Sequence, residues 1–210
     1  MTTLITPSHH DHEATLDDAA ELINTLERAD GDVDELPTSD KAIAFLTEHD
    51  LGHEADLRRQ ADHDGEAAWL ARFRGGREAL CELWDSTVEG RAPDERSLAT
   101  LNELLDRGPR VQLRRTLAGV QVAHRHPDDD PTGEALARVA TPLVDAIATG
   151  ATDRLRICAN HECRWVFEDS SRAGRRRWCD MATCGNQAKV RRFRAKRRVP
   201  GGAEDADTTA

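Results

Sequence analysis

The stretch that decides the architecture is Cys158-Ala-Asn-His-Glu-Cys163, fifteen further residues, then Cys179-Asp-Met-Ala-Thr-Cys184, followed by Gly185-Asn-Gln-Ala-Lys-Val-Arg-Arg-Phe-Arg-Ala-Lys-Arg-Arg198. Two thiol pairs with matched four-residue gaps can converge on one metal ion. Four protein ligands fill a tetrahedral zinc site and leave no position for water or substrate. The pattern therefore points to structure rather than catalysis. No Ser-His-Asp pattern, Gly-rich phosphate loop or HExxH motif occurs, and the expectation is that the chain is not an enzyme.

The residues around the quartet are basic. Lys189, Arg191, Arg192, Arg194, Lys196, Arg197 and Arg198 lie on a predicted helix that starts at Asn186, and Arg172, Arg175, Arg176 and Arg177 lie on the loop between the cysteine pairs. Residues 154–198 hold 14 Lys+Arg against 4 Asp+Glu, whereas residues 1–153 hold 15 against 32. The net charge of −10 hides this asymmetry. Arginine forks suit phosphate and guanine edges, so a metal knob feeding a basic helix points to nucleic acid. A basic face docked on the acidic N-terminal part, or on an acidic partner, is the competing reading, and RNA recognised by shape is a third. Val190 and Phe193, three apart, are expected to anchor the helix to the knob, with the arginines fanning outward.

Outward from this module, Trp165, Phe167 and Trp178 offer it only a minimal core, so metal binding and folding should be coupled. His161 reads as an exposed knuckle residue, and Cys81 as a core residue in the pattern Leu80, Leu83, Trp84. The absence of a secretory signal favours metal over disulfides and a cytoplasmic location. No apolar run is long enough to cross a membrane.

The first 153 residues read as mainly helical. Apolar spacing predicts helices over 16–29, over 40–50 capped by Ser39, over 66–89 interrupted at Gly75-Gly76, over 94–106, and from Pro131 to Gly150 with a kink at Pro142. Alternation from Val111 to Val122 around Ala118-Gly119 predicts a β-hairpin. Asp128-Asp-Asp130 reads as cap chemistry before the last helix. His9, His10 and His12, and likewise His49 and His53, read as surface residues rather than ligands. The expected class is mainly α with a small β-hairpin: a helical domain over 1–153 with 1–14 disordered, a small treble-clef-like zinc finger with a C-terminal basic helix over 154–198, and a disordered tail over 199–210. The Gly150–Asp153 connection is too short for a free linker, so the finger should sit close against the helical part.

The segments Arg154–Cys163, Trp165–Arg172 and Arg177–Asn186 resemble the CGNR-type zinc finger. The upstream part, through Leu22-Ile-Asn24-Thr25-Leu26 and Thr38–Leu51, is more weakly similar to the ABATE domain that precedes this finger in a bacterial family. The resemblance implies a stress-linked transcription regulator. One structural zinc would sit on Cys158, Cys163, Cys179 and Cys184, with the finger on DNA and the helical domain sensing a small-molecule effector or dimerising. One position departs from the signature: Gln187 stands where Cys-Gly-Asn-Arg has arginine. If that arginine touches DNA, one contact is weaker here, and the metal does not depend on it.

Overall fold

The computed structural model describes residues 13–28, 33–108, 110–117, 119–125 and 130–198. The expectations for the two chain ends, including His9, His10 and His12, and for Asp128 and Asp129, fall on residues outside that description.

The helical part is built around one long helix. Helix α1 (Leu16–Asn24) starts at a capping box, in which the Thr15 amide donates to the Asp18 carboxylate at 2.7 Å and the Asp18 amide returns to the Thr15 hydroxyl at 3.3 Å. It stops at Thr25, shorter than its apolar spacing predicts. The chain leaves it for the two-residue strand β1 (Leu26–Glu27), which pairs antiparallel with β2 (Val33–Asp34). The turn is fixed by Arg77, a guanidinium only 1% exposed, which bonds the Thr25 hydroxyl at 3.0 Å and grips both Asp34 oxygens at 2.8 and 2.9 Å. Burial opposes ionisation of Asp34, but hydrogen bonds from Arg77 and the Leu36 amide overcome it and hold the carboxyl below its usual range.

Helix α2 (Ser39–Glu48) is capped by Thr38 rather than Ser39, whose hydroxyl instead donates to Glu66 at 2.8 Å. Helix α3 (Glu54–Asp64) has no counterpart in the sequence reading. It buries only Leu57 and Ala61, one turn apart, and the rest of its surface is polar. Helix α4 (Glu66–Glu89) runs unbroken through Gly75-Gly76, against expectation. A Cβ at Gly76 would lie 2.8 Å from Leu136 Cδ1 and 3.1 Å from Leu104 Cδ1. That glycine therefore lets neighbouring helices approach closely instead of breaking its own. Helix α5 (Glu95–Leu105) is capped by Asp94, and strands β3 (Arg110–Thr116) and β4 (Gly119–Arg125) form the expected hairpin in the register Leu113↔Val122. Helix α6 (Pro131–Thr149) continues through Pro142 and begins at Asp130, whose carboxylate caps the Gly133 amide and also accepts from Gln60 and Arg107. That bears out the cap reading for Asp130.

The core forms where α4 meets α1, α5 and α6. Trp69 and Phe73 stack with centroids 5.7 Å apart, and the Trp69 indole donates to Thr132 at 2.7 Å. The same cluster of buried residues runs on past residue 153 to Leu155 and Val166, each 1% exposed. These belong to strands β5 (Leu155–Ile157) and β6 (Val166–Glu168), an antiparallel hairpin that packs against α1 and α4. Helix α7 (Asn186–Arg198) ends the described chain. None of the described helices is long and apolar enough to cross a membrane.

Candidate metal centre and nucleic-acid interface

Strands β5 and β6 carry the first knuckle between them. The Cys158 amide donates to the Trp165 carbonyl at 2.7 Å, and the Cys163 and Arg164 amides both turn back to the Asn160 carbonyl, at 2.9 and 3.0 Å. Arg164 completes the reversal in a left-handed conformation, φ +56°. The second pair is set differently. Cys179 leaves a loop, and Cys184 sits in a short π-helical turn, Met181–Gly185, capped by Asp180 and continuous with α7. A Cβ at Gly185 would fall 2.6 Å from Met181 Sδ and 3.3 Å from Trp178, so a larger residue here would have to displace the Met181 side chain.

All four sulfurs lie within 4.8 Å of one another, with Cys163 and Cys179 at 3.6 Å and Cys179 and Cys184 at 3.8 Å. A tetrahedron of Zn–S bonds near 2.3 Å has edges of about 3.8 Å, whereas a disulfide is about 2.05 Å long. The donor set thus fits one zinc ion held by thiolates. It is the only cluster of potential metal ligands found among the described residues. Burial pushes the Cys163 thiol up to about 11 and raises Cys179 further, and the neighbouring sulfurs add to the rise at Cys179. Such a group of thiols ionises together only with a cation at its centre. Burial also works against the Cys184 thiolate, but a hydrogen bond from Asn160 and the other thiols overcome it and lower its pKa. Cys81 stands apart: half-buried, it accepts from Arg28 at 3.0 Å, and burial raises it to about 11. His161 is exposed on the knuckle, as expected.

The ABATE family model, described as "Putative stress-induced transcription regulator", matches residues 17–150, and the CGNR zinc finger model matches residues 154–197. The chain belongs to the ABATE family. No curated protein matches this ABATE chain. Both matches are of regulator and zinc-finger type, and the close-set Cys158, Cys163, Cys179 and Cys184 together with the finger match point to one structural zinc ion.

The arginines of the ABATE chain's finger divide into two groups. Arg154 spans the carbonyls of Asp169 and Ser171 at 3.2 and 2.8 Å, and Arg156 reaches the Gly174 carbonyl at 3.0 Å. Asp169, 1% exposed, gathers the Ser171 and Arg176 amides at 3.0 and 2.7 Å, closing the loop between the pairs. Within that loop Arg172 and Arg175 are exposed, Arg176 lies over the Phe167 ring at 4.8 Å with its guanidinium on the Cys179 carbonyl, and Arg177 lies over Trp178 at 5.2 Å. On α7, Lys189, Arg192 and Arg194 are exposed, while Arg191 turns back to Glu162 at 2.7 Å and Asn160 at 2.6 Å. Lys196, Arg197 and Arg198 belong to α7.

Several expectations therefore change. Arg191, expected to fan outward, spends hydrogen bonds on the finger while staying exposed, and Arg176 of the loop likewise bonds the Cys179 carbonyl. Val190 and Phe193 are 46% and 60% exposed, so neither is a buried anchor between α7 and the knob. What holds the start of α7 is polar, through Asn160, Glu162 and Arg191. Trp165 is 38% exposed and outside the small cluster of Cys158, Phe167 and Cys184, against which Trp178 packs. The sequence reading also missed Asn24. Its side chain donates to the Val166 carbonyl and accepts from the Val166 amide, both at 2.9 Å, adding one edge of pairing to β6 from the end of α1. Arg28 extends the joint to the Arg164 carbonyl and to Asp85. Only the Asn24-Thr25 pair had a signal, and it came from the family resemblance.

Proposed function

We propose that this protein is a zinc-dependent DNA-binding regulator in which the finger contacts duplex DNA through α7 and the 172–177 loop, and the helical part carries regulation. One observation supports this reading most: Arg172, Arg175, Lys189, Arg192 and Arg194 are exposed on a scaffold fixed by metal and by backbone bonds, beside a body of strongly negative charge. Such a body repels a polyanion at long range, so contact falls to the projecting basic surface. Domain limits of 1–153 and 154–198 belong to the same proposal, as does pairing of two copies or capture of an effector by the helical part.

The test is a salt series on random-sequence duplex DNA with the full chain. Binding should weaken steeply with salt, with log K falling by about 0.9 per phosphate contact for each tenfold rise in salt, and replacing Arg172, Arg175, Arg192 and Arg194 together should flatten the slope by several units. A variant that binds like the wild type at every salt concentration would remove this surface from the reading and favour docking of the finger on an acidic protein. Equal or tighter binding to duplex RNA would move the assignment to RNA.

A further inference from the structure

Asn160 is placed to do more than close a turn. It is 3% exposed, and its polar atoms are shared among the metal cluster and α7. Its amide nitrogen donates to Cys184 Sγ at 3.5 Å and to Gln187 Oε1 at 3.1 Å, and its oxygen accepts from Arg191 at 2.6 Å and from the Glu162 amide at 3.4 Å. Four partners thus come from both cysteine pairs: Glu162 lies within the first knuckle, Cys184 is a ligand of the second, and Gln187 and Arg191 lie one turn apart on α7. Arg191 closes the ring through its ion pair with Glu162.

We propose that Asn160 is the positioning residue that joins zinc occupancy to the direction of α7, and that Arg191 is a strut of this joint rather than a DNA contact. This rests on the DNA-binding reading for its consequence but not for its geometry. An N–H donor to a thiolate stabilises charge on sulfur, and outer-layer donors of this kind tune metal affinity. The same side chain then offers its oxygen to Arg191, so the geometry of the Cys184 thiolate and the seating of the helix's first two turns are set by one amide. Gln187 fits this role: its carbonyl accepts the second Asn160 hydrogen, a bond that an arginine side chain, having no acceptor, cannot make.

The experiment uses the full chain loaded with Co²⁺ as a spectroscopic stand-in for zinc. Asn160→Ala should keep one metal per chain at saturation, shift the thiolate-to-cobalt band, weaken affinity by roughly 10–100-fold, and speed amide exchange at the start of α7 by about tenfold. Asn160→Asp should separate the two arms: it keeps an oxygen for Arg191 and so keeps the α7 protection, while the lost donor still weakens the metal. Arg191→Ala should leave the cobalt spectrum unchanged, speed α7 exchange, and lower DNA affinity with the salt slope intact. Arg192→Ala should lower the slope by about 0.9. If Arg191→Ala flattens the slope as much as Arg192→Ala while α7 protection stays at the wild-type level, Arg191 is a phosphate contact and the proposal fails. An unshifted cobalt band in Asn160→Ala equally overturns it. Were the wild-type chain to bind no DNA at all, the functional reading would fall while the cobalt and exchange measurements still judged Asn160.

Discussion

The two halves of the finger use the same residue types for opposite ends. In the first half, β5, the knuckle and β6 are fastened into the helical body: Leu155 and Val166 are core residues, Trp84 donates to the Arg156 carbonyl at 3.2 Å, and Asn24 pairs with Val166. In the second half, α7 packs mainly on the π-turn beside it, and its described side chains from Lys189 to Arg194 are exposed. Arginines follow the division only in part, since Arg176 and Arg191 of the second half also bond groups of the protein. Arg154, Arg156 and Arg164 bond carbonyls or carboxylates of the protein, whereas Arg172, Arg175, Arg192 and Arg194 face solvent. A net charge summed over the finger overstates what is available to a partner, because part of it is structural. A zinc ion held by the four cysteines would join the fixed half to the projecting half, with Cys158 and Cys163 from one and Cys179 and Cys184 from the other.

That contrast breaks most decisively at the ligands. Cys179→Ser with Cys184→Ser should abolish zinc binding, unfold α7 and remove DNA affinity, because zinc supplies on the order of 10 kcal/mol or more to modules of this kind. The helical body should keep its circular dichroism apart from the α7 contribution. Loss of the whole spectrum would show that the projecting half supports the body after all. Cys81→Ala should leave the metal content at one per chain.

Next in size is the fixed half. Leu155→Ala removes a fully buried side chain from a core shared with the body and should cost about 2–5 kcal/mol of global stability, read as a lower urea midpoint with zinc still bound. Asn24→Ala deletes two hydrogen bonds and leaves the Val166 amide and carbonyl without those partners, for about 1–3 kcal/mol. An equal substitution on the projecting half, Val190→Ala, should change stability by less than about 0.5 kcal/mol. Comparable losses at Leu155 and Val190 would erase the distinction between the halves.

Acid should reveal the same order. Metal-free Cys163 and Cys179 have raised pKa values, so at neutral pH they hold their protons and zinc must displace them. Affinity for zinc should therefore fall as pH falls, and α7 should be released first. The body should persist until Asp34 is protonated: its lowered pKa means that its pairing with Arg77 stabilises the fold above the usual carboxylate range and is lost as pH drops below it. Monitoring cobalt absorbance and far-ultraviolet circular dichroism on one acid titration separates the two events. Coincident transitions would argue for a single unit. The smallest effect is Arg192→Ala, invisible to stability and read only as a slope.

The sequence was most legible where chemistry is local. Cysteine spacing identified the metal centre, and cap residues with apolar spacing located α2, α4, α5 and α6 to within a few positions. It was least legible where a residue acts across the chain. Helix α3 went unseen because two apolar side chains leave almost no periodic signal. Gly75-Gly76 reads locally as a breaker, while the meaning of Gly76 lies in Leu104 and Leu136, far along the chain. The end of α1 depends on Arg77 and Asp34, and no periodicity encodes that bond. Arg191 belongs to a basic run in sequence and bonds Asn160 and Glu162 in space, a partnership that charge counting does not show.

The Asn24 clip also bears on heredity and engineering. A finger joined by a bare linker can be cut out and grafted elsewhere, as a cassette. Here the acceptor must present an asparagine side chain at the end of a helix to a strand's backbone amide and carbonyl, together with a hollow for Leu155. A transplanted finger lacking that socket would arrive with its hydrophobic underside uncovered. A chimaera must therefore carry that socket with the whole 154–198 finger, because Arg154, Arg156, Asp169 and Asn160 of the first half also hold the second.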